Sequence, residues 1–103
     1  MINENSTKAE VLEAVKQDGH ALQYASNKLR NDKEVVMAAV TRNGYAFSWA
    51  GAKFKLNRDV VLAAVSSRGL VLRLVPDKFR ADEKIVAVAS RQNSEALPYE
   101  LVG

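Results

Sequence analysis

The chain of 103 residues contains no cysteine, one histidine, one tryptophan and two prolines. Without thiols there can be no disulfide, thiolate zinc site, iron–sulfur cluster or cysteine nucleophile. A lone imidazole further narrows acid–base and metal chemistry, so neither a metal nor a cofactor is expected. The longest uninterrupted apolar runs, Val35 to Val40 and Val60 to Val65, are six residues each, whereas a bilayer-spanning helix needs about 20. No membrane association is expected. Charge of one sign is also scarce in excess: fifteen Lys and Arg against twelve Asp and Glu leave a net +3, far less than a domain living on nucleic acid usually concentrates.

What remains is 48% apolar and 26% charged, a balance that folds as one soluble domain of modest core. The opening string Met1-Ile-Asn-Glu-Asn-Ser-Thr is polar, unlike the basic start and apolar stretch of a secretory signal. A cytoplasmic protein is therefore the expectation.

The chain repeats itself every 25 residues. Gly19, Gly44 and Gly69 keep that spacing, with Ser94 at the fourth position. Ala14, Ala39, Ala64 and Ala89 do the same, as do Val11, Val36, Val61 and Val86. Further along each unit come Leu22, Phe47, Leu72 and Leu97, then Tyr24, Trp49, Leu74 and Tyr99, then Leu29, Phe54 and Phe79. The units run 7–31, 32–56, 57–81 and a shortened 82–103. A fixed period of this length is the mark of a solenoid whose units bury their apolar faces only by stacking.

Each unit opens on Thr7, Asp32, Asn57 or Asp82, side chains that accept hydrogen bonds from the unpaired N–H groups of a helix start. Glu10, three residues after Thr7, adds a capping box. Roughly ten residues of helical apolar spacing follow, ending at the glycine column. There a left-handed C-cap is expected, with Asn93 taking that conformation in the fourth unit. A shorter second helix over Ala21-Leu22-Gln23-Tyr24-Ala25 and its counterparts should end at Ser26, Gly51 or Pro76. One large apolar side chain, Leu29, Phe54 or Phe79, then turns inward before the next cap. The fold class is all-α: a short solenoid of about four helix-turn-helix repeats, the fourth (Ser90, Ser94, Pro98) either polar enough to cap the stack or the point where a longer array is cut.

The strings Lys33-Glu-Val-Val-Met-Ala-Ala-Val40, Gly19-His-Ala-Leu-Gln-Tyr-Ala-Ser26 and Lys28-Leu-Arg-Asn-Asp32 resemble the tandem units of the domain-of-unknown-function family 4116. The resemblance runs over about residues 7–92, with several columns recurring together. The third unit departs from it, reading Leu70-Val-Leu-Arg-Leu-Val75 where the family has Ala-Leu-Gln-Tyr-Ala. Such a resemblance implies an all-helical repeat module, often embedded in larger proteins. It brings no activity and no catalytic residues.

Catalysis finds little to stand on. His20 shares its column with Tyr45, Leu70 and Glu95, so the position varies and reads as a surface site, and a general base needs a positioned partner. Glu10, Glu13, Glu34 and Asp59 read as acids favoured near helix starts. No glycine-rich phosphate motif is present. The chain is expected not to be an enzyme.

Binding is better served. Columns that vary from unit to unit are released from the packing that fixes their neighbours. Tyr45, Trp49, Leu70, Arg73 and Arg42 are the preferred protein-binding patch, because Trp, Tyr and Arg dominate interface hot spots. In a plainer reading the column of Tyr24, Trp49, Leu74 and Tyr99 is simply core. A second set, Lys28, Arg30, Lys53, Lys55, Lys78 and Arg80, recurs as a cation pair in each unit, and a stack would line these up at about 10 Å per rung. Such a ladder could follow phosphates or nucleic acid, or could merely offset helix dipoles and solvate the turns. The expectation is a non-enzymatic protein-binding module, such as a small inhibitor or adaptor on a larger assembly, with nucleic-acid or phosphate binding as the alternative.

Overall fold

A computed structural model describes residues 1–93. The expectations for Ser94, Glu95, Leu97, Pro98 and Tyr99 concern positions outside those residues. Four long helices, α1 (Lys8–Gln17), α3 (Lys33–Arg42), α4 (Arg58–Ser67) and α6 (Glu83–Gln92), recur at the 25-residue period. Between them lie two shorter helical pieces per unit. The first is a 3-10 segment, η1 (Gly19–Tyr24), η2 (Gly44–Trp49) or η4 (Gly69–Leu74). The second is one turn, α2 (Asn27–Arg30), η3 (Ala52–Leu56) or α5 (Asp77–Arg80). Among the described residues there is no strand, and the units stack into an elongated body of 49 × 23 × 15 Å.

The caps lie where the side chains predict. Thr7, Asp32, Asn57 and Asp82 each accept from a backbone N–H in the first turn of the following helix, and Glu10 Oε1 completes the capping box by accepting from Thr7 N at 2.8 Å. The long helices bury one stripe: Val11 and Val15 in α1, then Val35, Val36, Ala39 and Val40 in α3, with matching positions in α4 and α6. Leu29, Phe54 and Phe79 turn inward as expected and are buried.

Two expectations need correction. The second helix is not α-helical and does not begin at Ala21: it starts at the glycine and has three residues per turn. Its burial shows why. Gly19, Leu22 and Ala25 are buried, as are Gly44, Phe47 and Ala50, and Gly69, Leu72 and Val75, a spacing of three that a 3-10 helix eclipses onto one side. Asp18 and Asn43 accept from His20 N and Tyr45 N at 3.0 Å, which tightens the first turn. Ser26 and Gly51 are then not terminators: they open the third piece, where Ser26 Oγ accepts from Leu29 N.

The glycine column is not a left-handed cap either. No glycine and no other described residue has a positive φ. The long helices end on Asp18, Asn43, Arg68 and Asn93, all in extended conformation, Asn93 included. Glycine is required by crowding instead. A Cβ on Gly19, Gly44 or Gly69 would lie 2.5, 2.2 or 2.4 Å from the carbonyl oxygen of Ala39, Ala64 or Ala89 in the next unit. The same contact satisfies an otherwise orphaned donor, since Gly44 N donates to Ser67 Oγ at 2.9 Å and Gly69 N donates to Gln92 Oε1.

Charged side chains tie the long helices together at their N-terminal edge. Lys8 Nζ reaches Asp32 at 3.0 Å and Glu34 at 2.9 Å, Lys33 reaches Asp59 at 3.5 Å, and Arg58 Nε reaches Asp82 at 3.0 Å. The hydrogen bond from Arg58 and that from Ile85 N hold the Asp82 carboxyl down at about 2. Asp32 is pushed up by burial, but Lys8 and the N–H of Val35 outweigh this and its pKa is lowered.

Two predictions follow from these contacts. Gly44→Ala should destabilise the fold by about 1–3 kcal/mol because a backbone carbonyl must move, and Gly44→Asn should be no better; a left-handed cap would instead favour Asn over Ala, so comparing the two melting temperatures separates the explanations. Asp82 titrates lower when folded than the ~3.9 of a free aspartate, so its pairing stabilises the fold fully above pH ~4 and is lost as pH falls toward about 2. Arg58→Ala should flatten that part of the acid-unfolding curve.

Candidate protein-binding faces

The 3-10 segments form one layer, and their outward rows carry the variable columns. Because three residues make a turn, burying the row of Gly44, Phe47 and Ala50 leaves Tyr45 and Ser48 on one outer row and Trp49 beside it. Tyr24 is 46% and Leu74 53% exposed, and Trp49 between them in the column is half-buried. Tyr45 and Leu70 are half-buried against the core, while Arg73 and Arg42 are exposed. The plainer reading of this column as core therefore fails for Tyr24 and Leu74.

Contacts between units hold Trp49 in place. Its indole Nε1 donates to His20 Nδ1 of the preceding unit at 3.4 Å, and its carbonyl accepts from Arg30 Nε at 2.9 Å. His20 is thereby a half-buried neighbour of Trp49, a relation no sequence spacing within one unit signals. Arg42 goes elsewhere. Its Nε donates to Gln17 O at 3.1 Å, and its side chain lines a groove between α1 and α3 with Lys16, Met37, Ala38 and Thr41. The structure thus places Tyr45, Trp49, Leu70 and Arg73 on the 3-10 segments and sets Arg42 on the long-helix layer.

The recurring cation pair also divides. Lys28, Lys53 and Lys78 are exposed, with the ammonium groups of Lys53 and Lys78 at 5.0 and 4.9 Å from the ring centres of Phe54 and Phe79. The other column turns inward: Arg30 bonds Trp49 O, Lys55 Nζ donates to Ser48 O at 3.3 Å, and Arg80 pairs with Asp77. Arg30 and Lys55 thus hold the backbone of adjacent pieces, and Arg80 is engaged by a carboxylate of its own turn. Among the described residues no group of three or more His, Cys, Asp or Glu is placed to hold a metal ion, and no helix is long and apolar enough to cross a membrane.

His20→Ala should leave the fold intact but cost about 0.5–1.5 kcal/mol, the usual net worth of one hydrogen bond, and should make Trp49 more accessible to acrylamide quenching. Emission and quenching identical to the parent would mean that His20 does not engage the indole.

No curated protein and no solved structure matches the chain. The family described as a domain of unknown function (DUF4116) matches it twice, at residues 11–55 and 57–99, each match taking in most of two 25-residue units. With these two matches covering most of its length, the chain belongs to the DUF4116 family.

Proposed function

We propose that this chain is a non-enzymatic protein-binding module, an adaptor or inhibitor that docks on a larger assembly through the outer rows of its 3-10 segments. The observation that carries the reading is the column of Tyr24, Trp49 and Leu74. It presents large apolar side chains at 46% and 53% exposure on either side of a Trp pinned by two contacts from the neighbouring unit. Aromatic anchors held rigid before binding lose little conformational freedom on docking, and they dominate interface energetics. Tyr45 and Leu70 extend the patch, and Arg73 stands on the same segment as Leu70.

Nucleic-acid or phosphate binding through the basic edge is less well supported. Of six cations, Arg30, Lys55 and Arg80 are turned onto carbonyls or a carboxylate. Only Lys28, Lys53 and Lys78 remain as an outward row, too few for the steep salt dependence of a phosphate-tracking surface.

The test is to capture a partner, purify it and measure its affinity directly. Trp49→Ala with Tyr45→Ala should weaken binding at least about tenfold, roughly 1.4 kcal/mol. Tyr24→Ser with Leu74→Ser, at exposed positions that the core does not need, should weaken it too while leaving the melting temperature nearly unchanged. Unaltered affinity in both double variants would refute this face. Binding abolished instead by Lys28→Glu with Lys53→Glu, and by moderate salt, would favour the basic edge.

A further inference from the structure

The long-helix layer carries a second surface, independent of the 3-10 rows. Residues 35–41 and 60–67 contain no charged side chain, so the outward positions of α3 and α4 are Met37, Ala38 and Thr41, then Leu62, Ala63 and Ser66. Met37, Ala38, Leu62 and Ala63 are only half-buried. Between α1 and α3 this surface dips into an open groove of about 480 Å³, floored by Met37 and Ala38 and flanked by Lys16 and Arg42.

The charges around it are sorted by edge. At the N-terminal ends of the long helices three cations are matched by carboxylates of the next unit, Lys8 with Asp32 and Glu34, Lys33 with Asp59, and Arg58 with Asp82. At the C-terminal ends stand Lys16, Arg42, Arg68 and Arg91, one per unit, and none of them is in an ion pair among the described residues. Two acids stand near this edge, Asp18, which accepts from His20 N, and Glu13, which accepts from the Gln17 side chain at 3.1 Å, both on the first unit, so the cations outnumber them. Among the described residues an uncharged face on α3 and α4 therefore lies beside an edge with an excess of cations.

We propose that this face binds an acidic amphipathic helix of a partner protein, lying along the stack axis. Its apolar row sits on Met37, Ala38, Leu62 and Ala63, and its carboxylates meet Lys16, Arg42, Arg68 and Arg91. The repeat sets the register. Packed helices are spaced about 8–10 Å apart, and seven residues of α-helix rise about 10 Å. Leucines recurring every seventh residue consequently meet one rung each, while the cations, which fall at different positions of their units, reach an adjacent glutamate row with long flexible side chains. An extended strand covers the same distance in about three residues, which would turn alternate anchors to the wrong side.

The probe is a synthetic helix of about three heptads, with one leucine row and one adjacent glutamate row, fluorescently labelled and titrated with the full chain at low salt. Saturable binding is expected, weakened about tenfold by Met37→Glu and, separately, by Lys16→Glu with Arg42→Glu. The latter pair is exposed or at the groove edge, and its folding is checked by circular dichroism. Tyr24→Ser with Leu74→Ser should leave this binding unchanged. The proposal is overturned by an absence of binding, by equal binding of a scrambled peptide or one with lysines in place of glutamates, or by insensitivity to the groove variants. It is equally overturned if phosphatidylglycerol vesicles bind the chain and displace the peptide, which would make the face a lipid-binding surface.

Discussion

A backbone contact sets the geometry of this molecule. The glycine that opens each 3-10 segment lies so close to the carbonyl of Ala39, Ala64 or Ala89 in the next unit that a single added carbon would overlap it. That approach fixes the spacing and rotation between units. It also gives the glycine N–H an acceptor from the following long helix, Ser67 Oγ for Gly44 and Gln92 Oε1 for Gly69. A buried donor left unpaired would cost roughly 1–3 kcal/mol, so close packing and donor satisfaction are the same event. The salt links from Lys8, Lys33 and Arg58 to the next unit's acids then reinforce a register the backbone has already chosen, and surface pairs of this kind add little each.

Because the spacing is fixed, residues divide into those the stack consumes and those it leaves over. The stripe of Val11, Val36, Val61 and Val86 with Ala39, Ala64 and Ala89, the row through Leu22, Phe47 and Leu72, and the inward Leu29, Phe54 and Phe79 are buried. Arg30 and Lys55 are consumed in another way, as donors to backbone carbonyls. What the stack does not need is informative: Tyr24, Trp49 and Leu74 on one layer, and on the other an uncharged stripe bordered by Lys16, Arg42, Arg68 and Arg91. Both are regular because the scaffold is regular, and both offer anchors that are ordered before any partner arrives.

The fold was legible to the extent that it is local. Thr7, Asp32, Asn57 and Asp82 announce helix starts because the cap is made by a side chain three residues away, and the 25-residue columns mark the core because identical environments select similar residues. The glycine column is ambiguous in sequence because crowding from a neighbouring unit leaves the same signature as a left-handed cap. The 3-10 segments were written openly in the period of three running through Gly19, Leu22 and Ala25, but a short apolar stretch is equally readable as an α-turn. Contacts between units were not legible at all. Nothing in the sequence separates Arg30, which grips Trp49, from exposed Lys28 two positions earlier, nor joins His20 to Trp49. Arg42 lies near Tyr45 along the chain, but its place on the last turn of α3 turns it toward Gln17 and the groove.

The central claim is that the glycine column locks each unit to the next. Native-state hydrogen exchange of the Gly44 and Gly69 amides tests it most directly. These N–H groups begin 3-10 segments, where an unassisted donor would exchange with fraying ends. The account predicts protection approaching that of the buried valine amides of α3 and α4, because exchange requires two units to part. Rapid exchange at both glycines, with the valine amides still protected, would contradict it.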